Sequence, residues 1–380
     1  MIYLDNAATT QPLPEVMAVI NESMKSDWLN PSSLYPPAYK VRQKVEAART
    51  IIAEDIGVPP SEIYFTSSGS EANNMALQGF HKRYPNSHII ISNIEHKSIM
   101  ECAKHLGNNV HIVHVDKDCC ICKDELLDLL KKYSTQNCPA LVSIQYANNE
   151  TGVIQDMRNI ADITHKNQAF LHTDGVQLFP HMFCNIHETA DCDMMSVSGH
   201  KFGCPKGIGF LYCRKNCDIQ PLIYGSQERN SRGGTENVHY ILGLAKAVEL
   251  RSSYLILFNV GIIWQLEKGL NELGCKINCE NSPYGGVATI ISCTLPKGSV
   301  GELLIYRLAF KGIYISAGSA CNSKSNKPSY VLKAIGLSDD EIQRTIRISL
   351  SANNTKEDID TLLKEMEQYF ISEKINYKNQ

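Results

Sequence analysis

Five short polar clusters carry the chemistry in this sequence: Ser68-Gly69-Ser70-Glu71, Glu95-His96, Asn148-Asn149-Glu150-Thr151-Gly152, Asp174-Gly175-Val176-Gln177 and Ser198-Gly199-His200-Lys201. Ser-Gly-Ser at a helix start offers free backbone N–H groups, hydroxyls and the positive end of the helix dipole, a combination suited to a phosphate. Ser198 and His200 add further donors. Asp174 suits a protonated ring nitrogen. His96 suits stacking on a planar ring or proton transfer. Lys201 supplies an amine for a Schiff base, a recurring use of a desolvated lysine. A phosphate cradle, an aspartate and a lysine together meet the needs of pyridoxal phosphate (PLP). The sequence has no GxGxxG after its first strand-like run and no His or carboxylate cluster spaced for a metal, so a dinucleotide and a metal are not expected.

Taken one at a time, these residues have ordinary explanations. Ser-Gly-Ser caps helices, Asp before Gly makes turns, a histidine can be a satisfied core or surface residue, and most lysines are solvated. Their placement argues otherwise. Strand-like runs at 63–66, 88–92, 141–146, 169–172 and 194–197 each precede one cluster. In open α/β sheets, ligands bind beyond the carboxyl ends of the strands. Five clusters after five parallel strands therefore converge on one composite site.

The strand-like runs alternate with helical stretches at 71–83, 98–106, 124–133 and 157–167, and further strands are expected at 110–115 and 208–213. That alternation predicts βαβ units and a mainly parallel sheet between helices. From about residue 240 the pattern changes to long amphipathic helices at 241–257 and 262–273, then strands at 287–293 and 313–316 and helices at 302–310 and 358–370. The expectation is a large domain over 11–250 and a smaller α+β domain over 251–380, joined by residues 1–10. The chain's 380 residues fit two such domains.

Composition narrows the function. The net charge of −3 lacks the basic excess of a nucleic-acid-coating protein. No run approaches ~20 apolar residues, so no membrane partner is expected, and the N-terminus lacks the pattern of a secretory signal. Fourteen cysteines are many for this length. They read as reduced thiols of a cytoplasmic protein, since Cys119-Cys120-x-Cys122, Cys213-x3-Cys217 and Cys275-x3-Cys279 lack the paired spacing of a zinc site. Cys321 differs. It sits in Ser319-Ala320-Cys321-Asn322-Ser323-Lys324-Ser325-Asn326-Lys327, which reads as an exposed, mobile loop whose lysines favour the thiolate. A mobile thiol beside a PLP site suits attack on the side chain of a bound amino acid.

These residues resemble the cysteine desulfurases of the NifS/IscS type, within the class V aminotransferase-like PLP enzymes of fold type I. The resemblance runs through Tyr3-Leu4-Asp5-Asn6-Ala7-Ala8-Thr9-Thr10, Asn30-Pro31-Ser32-Ser33, Thr66 to Glu71, Glu95-His96-Lys97, Asn148-Asn149-Glu150, Asp174 to Gln177 and Ser198 to Lys201. It continues through Arg232-Gly233-Gly234-Thr235 and Gly318-Ser319-Ala320-Cys321 to Ile346-Arg347-Ile348-Ser349-Leu350. It implies a large domain with a mainly parallel seven-stranded sheet, and a small domain that carries the Cys321 loop.

The resemblance also implies roles. Lys201 holds PLP as a Schiff base, Asp174 binds the ring nitrogen, Gln177 faces the ring hydroxyl, and His96 stacks on the ring and serves as acid or base. Gly69, Ser70, Ser198 and His200 hold the phosphate, with Thr235 reaching in from the second subunit of a homodimer. Asn149 contacts cofactor or substrate. Arg347 clamps the carboxylate of L-cysteine, with Asn30 nearby. Lys201 removes the α-proton, Cys321 attacks the substrate sulfur, and the products are alanine and a Cys321 persulfide, which passes to a sulfur-acceptor protein or scaffold in iron–sulfur cluster assembly or another thiolation pathway.

Three positions depart from the family pattern: Tyr35 where a histidine is usual, Asn322 after the cysteine, and Ser68-Gly69-Ser70 as a variant cradle. The chain ends at Gln380, soon after the expected last helix, so the C-terminal extension that meets an iron–sulfur scaffold is expected to be absent. The alternatives are a selenocysteine or cystine lyase, another class V PLP enzyme, or a non-catalytic sulfur-pathway scaffold. Cys321 favours sulfur transfer, and the intact Lys201, Asp174 and His96 argue against a scaffold.

Overall fold

A computed structural model describes residues 1–182, 185–257, 260–318 and 328–375. After a two-residue strand β1 (Ile2–Tyr3), seven strands build the central sheet: β2 (Ile63–Thr66), β3 (Ile89–Ser92), β4 (Val110–Val113), β5 (Leu141–Ser143), β6 (Phe170–Asp174), β7 (Met194–Ser198) and β8 (Gly209–Cys213). Their order is β2-β8-β7-β6-β5-β3-β4. Only β8 runs against its neighbours; it is antiparallel to both β2 and β7. The other six therefore point the same way. β3, β5, β7 and β8 are buried along their whole length, and β6 at every position but Phe170, as expected for a sheet covered on both faces.

The strands and helices read from the sequence between 60 and 215 lie within a few residues of those observed. Two helices ahead of them, Pro14–Ser26 and Pro36–Ile56, were not anticipated. In the second, Pro36-Pro37 reads as a breaker, yet proline suits the first turn of a helix, where its missing N–H costs nothing. Its buried stripe, Ala38, Val41, Val45, Ala48 and Ile52, has the three-and-four spacing of a core-facing helix. Gly57 ends it in the left-handed conformation with φ 71°. Both helices pack on the helix Val238–Leu257.

The C-terminal part contains β9 (Lys276–Ile277), β10 (Ile290–Thr294), β11 (Ile313–Tyr314), β12 (Ser316–Ala317) and β13 (Thr345–Ser349). Four of them form a sheet in the order β12-β13-β10-β9, and β11 pairs in parallel with β1. Of three hydrophobic clusters among the described residues, one packs the helices Gly69–Arg83 and Lys97–Leu106 on the central sheet, and the other two bear on how the chain divides. One runs from Ala7 through the central sheet to Val248, and also takes in Val287, Ile290, Val331, Leu332, Ile335 and Ile342. The other joins Leu4 to Ile262, Leu266, Ile346, Ile348 and the helix Lys356–Ser372. The change of core along the chain falls between Arg251, whose guanidinium bonds to the Phe179 carbonyl and Asp55, and Ile262. Residues near the N-terminus and β13 thus reach the same sheet edge as the five clusters.

Candidate active site

Because β2, β3, β5, β6 and β7 share one direction, their carboxyl ends lie along one edge. Each polar cluster leaves the sheet there. Gly69, Ser70, His96, Asn149, Asp174, Gln177, Ser198, His200, Lys201 and Arg347 all line a single cavity of about 300 Å³.

The helix Gly69–Arg83 points its N-terminus into this cavity. Ser68 caps it, accepting from Glu71 N at 3.1 Å. Glu71 in turn accepts from Ser67 N at 2.7 Å and pairs with Arg232 at 2.7 Å. Burial alone would raise the Glu71 carboxyl; Arg232 and the Ser67 donors outweigh it and hold the group below its usual value. The Gly69 and Ser70 N–H groups belong to the first turn, which has no helical acceptors. A Cβ on Gly69 would lie 2.7 Å from Val176 Cγ2 and 3.3 Å from Ser198 Cβ, so the cradle admits only a hydrogen there.

Asp174, at the end of β6, is held by two donors: Val176 N at 3.0 Å on Oδ1 and Asn73 Nδ2 at 2.8 Å on Oδ2. Gln177 Nε2 donates to the Ala7 carbonyl at 2.8 Å. His96 caps the helix Lys97–Leu106, and its Nδ1 accepts from Ser98 N at 3.1 Å. A backbone N–H can only donate, so the neutral ring carries its proton on Nε2. Lys201 follows β7, and its Nζ donates to the carbonyls of Ala7 at 2.6 Å and Ala8 at 2.9 Å. His200 lies 3.1 Å from Thr9 Oγ1; burial first, then the charges of Lys201 and Lys206, push it down to about 4, so it is neutral near pH 7.

On the opposite wall, β13 delivers Arg347. Its guanidinium is buried, donating to Asp5 Oδ1 at 2.7 Å and to the Asn149 carbonyl at 2.8 Å, while Nε has no partner among the described residues. Two buried carboxyls stand near the cavity, Glu95 by Asp174 and Glu150 by Arg347. Burial pushes Glu95 up to about 8; Ser92 Oγ and Gln145 N oppose the shift and Asp174 adds to it. Glu150 is also raised by burial and accepts from Ser329 Oγ at 2.6 Å.

Asn30 and Thr235 are exposed and outside the cavity lining. Asn30 Oδ1 accepts from Ser32 N at 2.9 Å, closing a turn. Cys321 lies outside the described residues. The described ends of its segment both meet Glu150: Ser329 through its hydroxyl, and Gly318, where a Cβ would stand 3.2 Å from Oε2. Most described cysteines are buried and all are free. Among the described residues, no three His, Cys, Asp or Glu are grouped to hold a metal, and no helix is long and apolar enough to cross a membrane.

The sequence reading gave no role to Asn73, Gln145, Tyr330 or the Ala7 and Ala8 carbonyls, all of which face the site. The one available signal was Asn73, a polar side chain on the buried stripe of its helix.

Residues 2–362 match the family described as Aminotransferase class-V. A cysteine desulfurase IscS of Methanosarcina thermophila is 38% identical over 371 residues, covering 95% of this chain and 90% of its own. The chain belongs to the cysteine desulfurase group of the class-V aminotransferase family. The structures agree with this assignment. A NifS-like protein from Rickettsia africae matches with a TM-score of 0.88 and 33% identity, covering 98% of this chain and 99% of its own. SspA, solved in complex with cysteine, matches with a TM-score of 0.81 and 32% identity, covering 93% and 100%. The fold of this cysteine desulfurase is PLP fold type I, with its central sheet between helices and its cavity at the carboxyl edge.

Proposed function

We propose that the chain binds pyridoxal phosphate in the 300 Å³ cavity and removes sulfur from L-cysteine, giving L-alanine and a persulfide on Cys321. The observation that carries this reading is the convergence of Lys201, Asp174, His96, the Gly69 cradle and Arg347 on that one cavity. The fit to the cofactor is supported by the hydrogen-only space at Gly69, by a helix start facing the cavity, and by a buried carboxylate held by two N–H donors.

When bound, pyridoxal phosphate supplies an aldehyde for Schiff-base linkage and a ring that takes up the electron pair left at the amino acid's α-carbon. Gly69, Ser70, Ser198 and His200 would hold the phosphate, Asp174 the ring nitrogen, Gln177 the ring hydroxyl and His96 the ring face. Lys201 Nζ would hold the cofactor covalently, then accept the α-proton once the substrate amine has displaced it. Arg347 would bind the substrate carboxylate, with Asn149 beside it; Asp5 and the Asn149 carbonyl already fix its fork, which suits a planar anion. Cys321 Sγ would attack the substrate sulfur: a sulfur–sulfur bond forms, the carbon–sulfur bond breaks with its electron pair left on carbon, and protonation of that β-carbon together with return of a proton from Lys201 to the α-carbon completes alanine. The persulfide then passes to a sulfur acceptor. Thr235, exposed in the single chain, would complete the phosphate site of a partner subunit. Asn30 would serve the same substrate wall. The division into 11–250 and 251–380 with 1–10 belongs to this reading; the cluster of Leu4, Ile262, Leu266, Ile346 and Ile348 supports it, while Ala7, Val287, Ile290, Val331, Leu332, Ile335 and Ile342 pack with the core of the large sheet.

The test is a cysteine-dependent alanine and sulfide assay beside Cys321→Ala and Lys201→Ala. Both variants should lose alanine formation, and mass spectrometry should find one added sulfur on Cys321 of the wild type. Full turnover by Cys321→Ala would refute the nucleophile, and a protein that takes up no PLP would refute the site.

A further inference from the structure

We propose that Asn73 is a positioning residue that ties the Asp174 carboxylate and the His96 imidazole into one hydrogen-bonded unit. The inference deepens the cofactor reading above and rests on it for its catalytic meaning. Asn73 is 1% exposed, sits one turn into the helix Gly69–Arg83 and lines the cavity.

A carboxylate only accepts, so the Asn73 atom 2.8 Å from Asp174 Oδ2 is the nitrogen. The same Nδ2 lies 2.9 Å from Ser98 Oγ. Both protons of one amide are therefore spent, one on the carboxylate and one on the serine. Ser98 Oγ, accepting from Asn73, is free to turn its own proton to His96 Nδ1 at 2.8 Å. That nitrogen already receives Ser98 N–H. The directed chain runs from Asn73 N–H to Ser98 O–H to His96 Nδ1, where it adds a second donor to the residue-98 N–H that holds the ring proton on Nε2. At its other end the amide completes the clamp on Asp174, whose Oδ1 takes the Val176 N–H.

The residue type is constrained by this geometry. Aspartate at 73 would set two carboxylates against each other at Oδ2. Leucine keeps the volume and removes both donors. Serine is too short to reach both partners. Ser98 separates the two branches: Ser98→Ala cuts the histidine arm and leaves the Asn73–Asp174 bond in place.

The test uses the purified full chain carrying 15N-histidine, with and without added PLP. The His96 signals are assigned by their loss in His96→Gln. Wild-type protein should show the Nε2–H tautomer alone. Ser98→Ala and Asn73→Leu should both keep that tautomer, which the residue-98 backbone N–H still holds, and both should shift the Nδ1 resonance toward that of a less hydrogen-bonded nitrogen. The release rate of bound PLP should rise at least tenfold in Asn73→Leu and less than threefold in Ser98→Ala, because only the first frees Asp174 Oδ2. Asn73→Ser serves as the milder variant should leucine prevent folding. Wild-type His96 signals in both Ser98→Ala and the position-73 variant would overturn the proposal and leave Asn73 a packing residue. Failure of the wild type to bind PLP would sink the functional reading alone, because the Nδ1 shift measured on PLP-free protein would still decide the role of Asn73.

Discussion

Replacing Glu95 by glutamine should make the protein's stability less sensitive to alkaline pH. Glu95 is fully buried, and its carboxyl titrates near 8 rather than at the ordinary 4.5. The folded-state value is raised, so between those limits the folded protein keeps a proton that the unfolded chain has released. Stability from this group is complete below 4.5 and is lost as pH climbs to 8. Each unit in that window removes about 1.4 kcal/mol, so from pH 5.5 to 7.5 the loss is about 3 kcal/mol. Glutamine keeps the acceptor for Ser92 Oγ and Gln145 N but places an amide where Oε2 has no partner among the described residues. That unmet donor costs about 1–3 kcal/mol at every pH and cancels from the slope. Urea unfolding of both proteins at pH 5.5, 6.5 and 7.5 measures the effect. The stability difference should move by about 3 kcal/mol in favour of glutamine across the series. A difference constant to within about 0.5 kcal/mol would mean that Glu95 is ionised in its pocket and would refute the burial argument.

Two further outcomes follow from packing. Gly69→Ala puts a methyl 2.7 Å from Val176 Cγ2, a stiff branched side chain, so PLP affinity read by absorbance titration should fall at least about tenfold; a change under about threefold would mean the cradle yields. Glu228→Ala strips a bidentate partner from Arg49, whose side chain is 4% exposed, and from Phe65 N. Arg49 keeps Glu46 and the Ile63 carbonyl, so the lost bonds should cost about 1–3 kcal/mol, seen as a lower denaturation midpoint, and an unchanged midpoint would contradict it.

Much of the site was legible because its residue types recur at strand ends, where period and position can both be read from the chain. Lys201, Asp174 and His96 needed no tertiary knowledge beyond the parallel direction of their strands. The helices Pro14–Ser26 and Pro36–Ile56 were not anticipated. The second carries a local signal in the three-and-four spacing of Ala38, Val41, Val45, Ala48 and Ile52, but the partner of both, the helix Val238–Leu257, lies some two hundred residues away, where local pattern cannot point. The Ala7 and Ala8 carbonyls were invisible for a simpler reason: a backbone oxygen has no sequence signature. Asn73 shows the intermediate case. Its amide on a buried helical face was visible as an oddity, but only the fold shows that Asp174 and Ser98 are what it feeds.

The bond between Asp5 and Arg347 spans 342 positions of the chain, and Ala7 and Ala8 lie against Lys201 from the far end of the same polypeptide. During synthesis the ribosome releases β1 long before the arginine. The contact between Asp5 and Arg347 therefore cannot form until β13 has emerged. A translation product stopped before β13 would hold Lys201 and Asp174 without Arg347, the guanidinium proposed above to bind the substrate carboxylate.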